Sequence, residues 1–135
     1  MHYGEVISSV ALVFGAGLGL GALFFPNWAA GVVRLMEDPD PLKPGGFSEF
    51  RATYGGLFLF SHLMTLVIII KMPAVFSVMA ALPLAAGWIG AGLGRAFSLL
   101  MDRERNREPG LIPVWIPMEL IIGLAIAAPI AQFTG

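Results

Sequence analysis

Four apolar stretches divide the chain: Val6 to Phe25, Phe50 to Ile70, Ala74 to about Met101, and Leu111 to about Gln132. Each reaches about twenty residues or more, the length a helix needs to cross a hydrocarbon layer of roughly 30 Å. The first is free of charge, the second carries a basic side chain only at Arg51 and His62, the third has Arg95 and the fourth has Glu119. The pattern predicts four membrane-spanning helices.

Between the spans the polar positions change character. Pro26-Asn27 ends the first run, and Asn27 is expected to cap a short helix from Trp28 to Met36. There Trp28, Val32, Leu35 and Met36 share one side while Arg34 and Glu37 face away, as in a helix lying flat in the membrane interface. EDPDPLKPGGF, from Glu37 to Phe47, is rich in proline, glycine and acid and reads as an irregular solvated loop. Lys71-Met72-Pro73 leaves space for a tight turn, which sends the third span back beside the second. Pro83 is expected to bend the third span. DRERNREPG, Asp102 to Gly110, is a charged loop, and Pro113 and Pro117 fall in or near the first turns of the last span, with Pro129 near its far end. The expected fold is all-α: a single-domain, integral membrane four-helix bundle with a short interfacial helix after the first span.

Composition sharpens this picture. Hydrophobic residues make up 57% of the 135 residues and charged ones 13%, with a mean hydropathy of +0.81, and a soluble domain carries nearly twice that charge. The net charge of −1 gives no general attraction to nucleic acid. Cysteine is absent, which removes disulfides, thiolate nucleophiles and sulfur-bound metals. Met1-His2-Tyr3-Gly4-Glu5 lacks a basic leader region, and the apolar run behind it exceeds a signal-peptide core, so the first run reads as a retained helix. Arg34, Lys43, Arg51, Arg95, Arg103, Arg105 and Arg107 flank one side of the membrane and Lys71 alone flanks the other. The positive-inside rule then places the two long loops in the cytoplasm and both termini outside it.

Glycines and buried charges supply the candidate chemistry. Gly15, Gly17, Gly19 and Gly21 in the first span, and Gly87, Gly90, Gly92 and Gly94 in the third, form small-xxx-small patterns that permit close helix packing, with Gly15, Gly19, Gly90 and Gly94 the expected contact positions. GAGLG occurs twice, at 15–19 and 90–94, through duplication of a helical hairpin or through repetition in glycine-rich membrane helices. Gly17 to Ala22 also fits G-x-G-x-x-A, but inside an apolar span with no strand before it this is not a dinucleotide loop.

An ionisable group inside a span costs on the order of 2.5 kcal/mol or more unless it is paired or reaches water. Glu119 lies roughly 12 Å into the last span, too deep for a short carboxylate to reach the interface, and Arg95 lies at a similar depth in the third. Arg51, Tyr54, Gly55, Phe58, His62 and Thr65 recur at spacings of three and four on the second span. Trp88, Ala91, Arg95, Ser98 and Asp102 form a row on the third, as do Trp115, Glu119, Gly123 and Ile126 on the fourth. The expected result is a polar cluster centred on Glu119 with Arg95 and Arg51, and with Tyr54, Ser98, Glu49 and Asp102 around it. Such a cluster serves either to lock the helices together or to bind a ligand or ion. His62 reads as a core histidine, with a proton relay or single-ligand pigment as the other readings; bis-histidine haem is excluded because His2 belongs at the opposite end. No cofactor or metal is expected. The alternating Arg and Glu of 103–108 make a mixed solvated surface.

Ser48-Glu49-Phe50-Arg51-Ala52-Thr53-Tyr54-Gly55-Gly56-Leu57, Gly94-Arg95 followed by Ser98 and Asp102, and the lone Glu119 together resemble an uncharacterised family of small bacterial four-helix membrane proteins, with E-x-R-A-x-Y-G-G as the most specific string. In that family an asparagine or aspartate-glycine often follows the third span; here Asp102 is followed by Arg103. The resemblance implies a bacterial inner-membrane location and no particular activity. The leading expectation is a non-enzymatic protein of the lipid bilayer that forms a homo-oligomer or serves as an accessory subunit beside a membrane-protein partner. A small proton-coupled transporter or a binder of hydrophobic or anionic metabolites, such as a lipid, is the alternative, and a membrane enzyme using Glu119 or His62 as a base comes third.

Overall fold

Without water, backbone polar groups must be satisfied within the chain, so long apolar runs become helices. A computed structural model describes residues 1–35, 40, 42, 46–102 and 112–134. Among them every regular element is helical. Four helices are long and apolar enough to cross a membrane: Tyr3–Phe24, Phe47–Lys71, Ala74–Met101 and Ile112–Phe133, of 22, 25, 28 and 22 residues. At 1.5 Å per residue the shortest extends about 33 Å. The protein is all-α, with the four long helices and the short one after the first that the sequence predicts.

The boundaries differ in instructive ways. The first helix starts at Tyr3 instead of Val6 because His2 and Glu5 build its N-terminus: Gly4 N–H donates to His2 Nδ1 and His2 N–H donates to Glu5 Oε2, a histidine version of the capping box. The short helix spans Pro26–Val33, not 28–36. Pro26 occupies its first turn and Phe25 the cap position, so Asn27 does not cap it. Arg34 then turns left-handed at φ 58°, with its N–H on Ala30 O, and ends the helix. Pro26 and Ala29 form its buried side, and Ala29 packs with Ala22 and Phe50 while Trp28 stays half exposed. Met36, Glu37 and Lys43, most of the loop that follows, and the loop positions 103–110 with Leu111 lie outside the described residues.

The second helix contains a π-helical segment, Arg51–Leu57, before regular α-helix resumes at Phe58. Its wider turn changes the phase of everything before it. A two-residue turn, Met72-Pro73, leads into the third helix, which runs without interruption through Pro83. The fourth is α-helical to Ala127 and tightens to a 3₁₀ end over Ala128–Phe133, where Pro129 lacks the N–H an α-turn requires.

The fold divides into two compact units, Met1–Ala11 with Ile68–Gly135, and Leu12–Val67. In the first, the third and fourth long helices pack along each other through small residues. Gly92 lies against Ile116 and Leu120, and Gly123 against Ile89 and Ala85, where an added Cβ would stand 2.6 Å from Ile89 Cγ1. Ser8 Oγ donates to Ile126 O at 2.8 Å and ties the N-terminal turns of the first helix to the fourth. In the second unit the remainder of the first helix meets the second helix at Gly15, Gly19 and Leu23.

Candidate functional site

Glu119 is held between the third and fourth helices. It sits on the same side as Gly123 and Ile126, one and two turns on, and all three are buried. The third helix brings Arg95 to the same level, and Arg95 Nε donates to Glu119 Oε1 at 2.8 Å and Oε2 at 3.0 Å. The side chains differ in environment: Glu119 is 6% exposed and Arg95 35%. A carboxylate at this depth is tolerated because a fixed positive charge accompanies it, and the near-closed geometry supplies charge-assisted hydrogen bonds to both oxygens.

The remaining expected members take different places. Ser98 Oγ donates to Asp102 Oδ2 at 2.9 Å near the end of the third helix, where Asp102 is exposed. Glu49, Arg51 and Tyr54 belong to the other unit and are all exposed, with Tyr54 stacked on Phe50 at 4.7 Å. The row expected on the second span separates at the π segment: Gly55, His62 and Thr65 are buried whereas Arg51 and Tyr54 face outward. Regular α-helical spacing would have kept them together, and the π turn rotates the N-terminal part away.

His62 is fully buried. Its Nδ1 donates to Phe58 O at 2.6 Å, which places the proton on that nitrogen, and its ring lies 4.5 Å from that of Phe58. The opposite edge of the imidazole rests on Gly15, where a Cβ would overlap Cδ2 and Nε2. The imidazole takes up the space that glycine leaves. Among the described residues no group of three His, Cys, Asp or Glu side chains is placed to hold a metal ion.

A second buried acid was not among the expected site residues. Glu5 is 8% exposed, receives the His2 N–H at 2.9 Å and Gln132 Nε2 at 3.3 Å, and so links the start of the first helix to the end of the fourth. Ser9 Oγ donates to the carbonyl of Glu5 at 2.7 Å. The His2-x-x-Glu5 spacing is the available sequence signal, since a cap residue followed three positions later by Glu marks a helix start. Its partner Gln132 is not legible from spacing.

The glycines divide just as clearly. Gly15 and Gly19 are in close contact with His62 and Leu59, and Gly92 with the fourth helix, whereas a Cβ added at Gly17, Gly87, Gly90 or Gly94 would meet no other part of the chain within 4 Å. Gly87, Gly90, Ala91 and Gly94 are exposed together on one side of the third helix, and Arg95 borders that side. Comparison with protein-family models, curated proteins and solved structures finds no match.

Proposed function

We propose that the chain is a non-enzymatic, multi-pass protein of the bacterial inner membrane that acts as an oligomerising or accessory subunit of a larger assembly, joined through the outward glycine face of its third helix. The supporting observation is that a Cβ added at Gly87, Gly90 or Gly94 would meet open space, although glycine inside a helix carries a penalty of about 1 kcal/mol relative to alanine. Close approach of another helix is the gain that offsets such a penalty in a membrane. The Arg95–Glu119 pair, on this reading, locks the third and fourth helices so that the face is presented rigidly. The excess of Arg and Lys beside the two long loops supports a cytoplasmic location for them, and the E-x-R-A-x-Y-G-G string supports kinship with the small bacterial membrane family.

Purification in native-lipid particles tests the assembly. The parent chain is expected to run with stoichiometric companions, and the Gly90→Leu, Gly94→Leu double variant to run alone with an unchanged thermal midpoint. A parent chain that runs as a bare monomer contradicts the proposal. In the same cells a membrane-impermeant maleimide should label Lys71→Cys from outside the cytoplasm, and labelling only after lysis would reverse the orientation.

A further inference from the structure

Two neighbouring residues compete for one inward place on the second long helix. Phe50 is buried in the cluster with Ala22 and Ala29, and Gly55 lies on the backbone of Leu23. They are five residues apart, the repeat of a π-helix, and the segment Arg51–Leu57 is π-helical. In an unbroken α-helix the residue one turn before Gly55 is Arg51, which would bring a guanidinium to the place where the Phe50 ring packs. The π segment keeps Phe50 inside and leaves Arg51 exposed. Short π segments recur at functional sites, so what Arg51 meets outside is the question they raise.

Exposure on this helix means lipid, because Phe47–Lys71 is one of the four helices able to cross a membrane. Among the described residues the Arg51 side chain has no hydrogen-bond or ion-pair partner. Glu49, the nearest acid in sequence, stands two residues earlier on the far side of buried Phe50. A guanidinium left unanswered in hydrocarbon is costly. Arg51 lies about 6 Å from the start of the helix, and its Cα–Cβ bond leans toward that start, so the side chain extends to the headgroup layer. Tyr54 and Trp28, both partly exposed within the same compact unit, are residue types that favour this depth. In that layer phosphate oxygens match the planar fork, accepting parallel N–H bonds and bringing the opposite charge. A zwitterionic lipid already carries a cation beside its phosphate, whereas an anionic one leaves the charge for the protein to answer.

Resting on the membrane placement of this helix and independent of the glycine face, we infer that Arg51 is the binding residue of a site for the phosphate of an anionic phospholipid, turned outward by the π segment.

Native mass spectrometry of the full chain, released from phosphatidylcholine nanodiscs doped with phosphatidylglycerol, reads the site. The parent is expected to retain phosphatidylglycerol and Arg51→Gln to retain about tenfold less. Arg51→Lys should fall between them, since lysine keeps the charge and loses the fork. Lys71→Gln, at the other end of the same helix, should leave retention unchanged. In pure phosphatidylcholine the thermal midpoint of Arg51→Gln should equal the parent's, and a lowered midpoint would make Arg51 a structural residue and overturn the inference. Undiminished retention by Arg51→Gln, an equal loss in Lys71→Gln, equal retention of phosphatidylcholine, or displacement of the lipid by inorganic phosphate overturns it as well.

Discussion

The pentapeptide Gly-Ala-Gly-Leu-Gly occurs at 15–19 and at 90–94, and the structure uses opposite sides of the two copies. At about 100° per residue the outer glycines share a face and the middle one points away. In the first copy the outer pair is buried: Gly15 lies on the ring of His62 and Gly19 on the backbone of Leu59, while a Cβ added at Gly17 would meet nothing within 4 Å. In the second the middle glycine is packed, where a Cβ added at Gly92 would stand 3.2 Å from Ile116 O and Leu120 Cδ2, and Gly90 and Gly94 are open. Identical local sequence therefore packs its outer glycines in one copy and its middle glycine in the other. The neighbours decide. Leu12 and Ala22 extend the buried side of Gly15 and Gly19, whereas Ala81, Ala85 and Trp88 extend that of Gly92.

Alanine substitutions grade this contrast. Gly19→Ala should have the largest effect, because its Cβ would stand 2.5 Å from Leu59 N and 2.8 Å from Leu59 Cα, and backbone cannot rotate aside. A loss of about 3 kcal/mol is expected in reversible unfolding, beyond what better helix propensity returns. Unchanged stability would mean that the first copy is not packed as described.

Gly15→Ala comes next, at about 2 kcal/mol, because the obstacle is a side chain, although a fully buried one fixed to Phe58 O. His62→Ala opens a cavity of its own, yet the two changes together should cost at least about 1 kcal/mol less than their sum. Strict additivity in that double-mutant cycle would show that imidazole and glycine do not share the space.

The smallest effects belong to the second copy. Gly92→Ala should cost about 1 kcal/mol or less, its neighbours needing to yield by only a few tenths of an ångström. Gly90→Ala and Gly94→Ala should leave the isolated protein unchanged or more stable by up to about 1 kcal/mol, from helix propensity. A loss at either position in the same unfolding measurement would erase the distinction between the copies.

Much of the helical framework is legible from the order of residues, because the sheer length of uncharged apolar runs leaves few other structures. Glu119 and Arg95 were legible as a pair for a related reason: each is the lone charge of its span, at similar depth, and each is costly unaccompanied. Arg51 and Tyr54 were misread as continuous with His62, since spacings of three and four presuppose an α-helix and the π segment at Arg51–Leu57 breaks that assumption. The short helix was shifted by two to three residues for a local reason, the proline at its first turn and the left-handed Arg34 at its end.

The sequence by itself determined the solvent this protein suits, the number and approximate extent of its long helices, and the need for buried charges to find company. These depend on sums along the chain: apolar length, charge count and depth. Tertiary structure alone decided which glycines of a repeated string lie against a neighbour, that His62 fills the space left by Gly15, and that Gln132 meets Glu5. Those outcomes depend on which side of one helix faces which side of another, and a face is chosen by complementary shape across a contact that no single segment encodes.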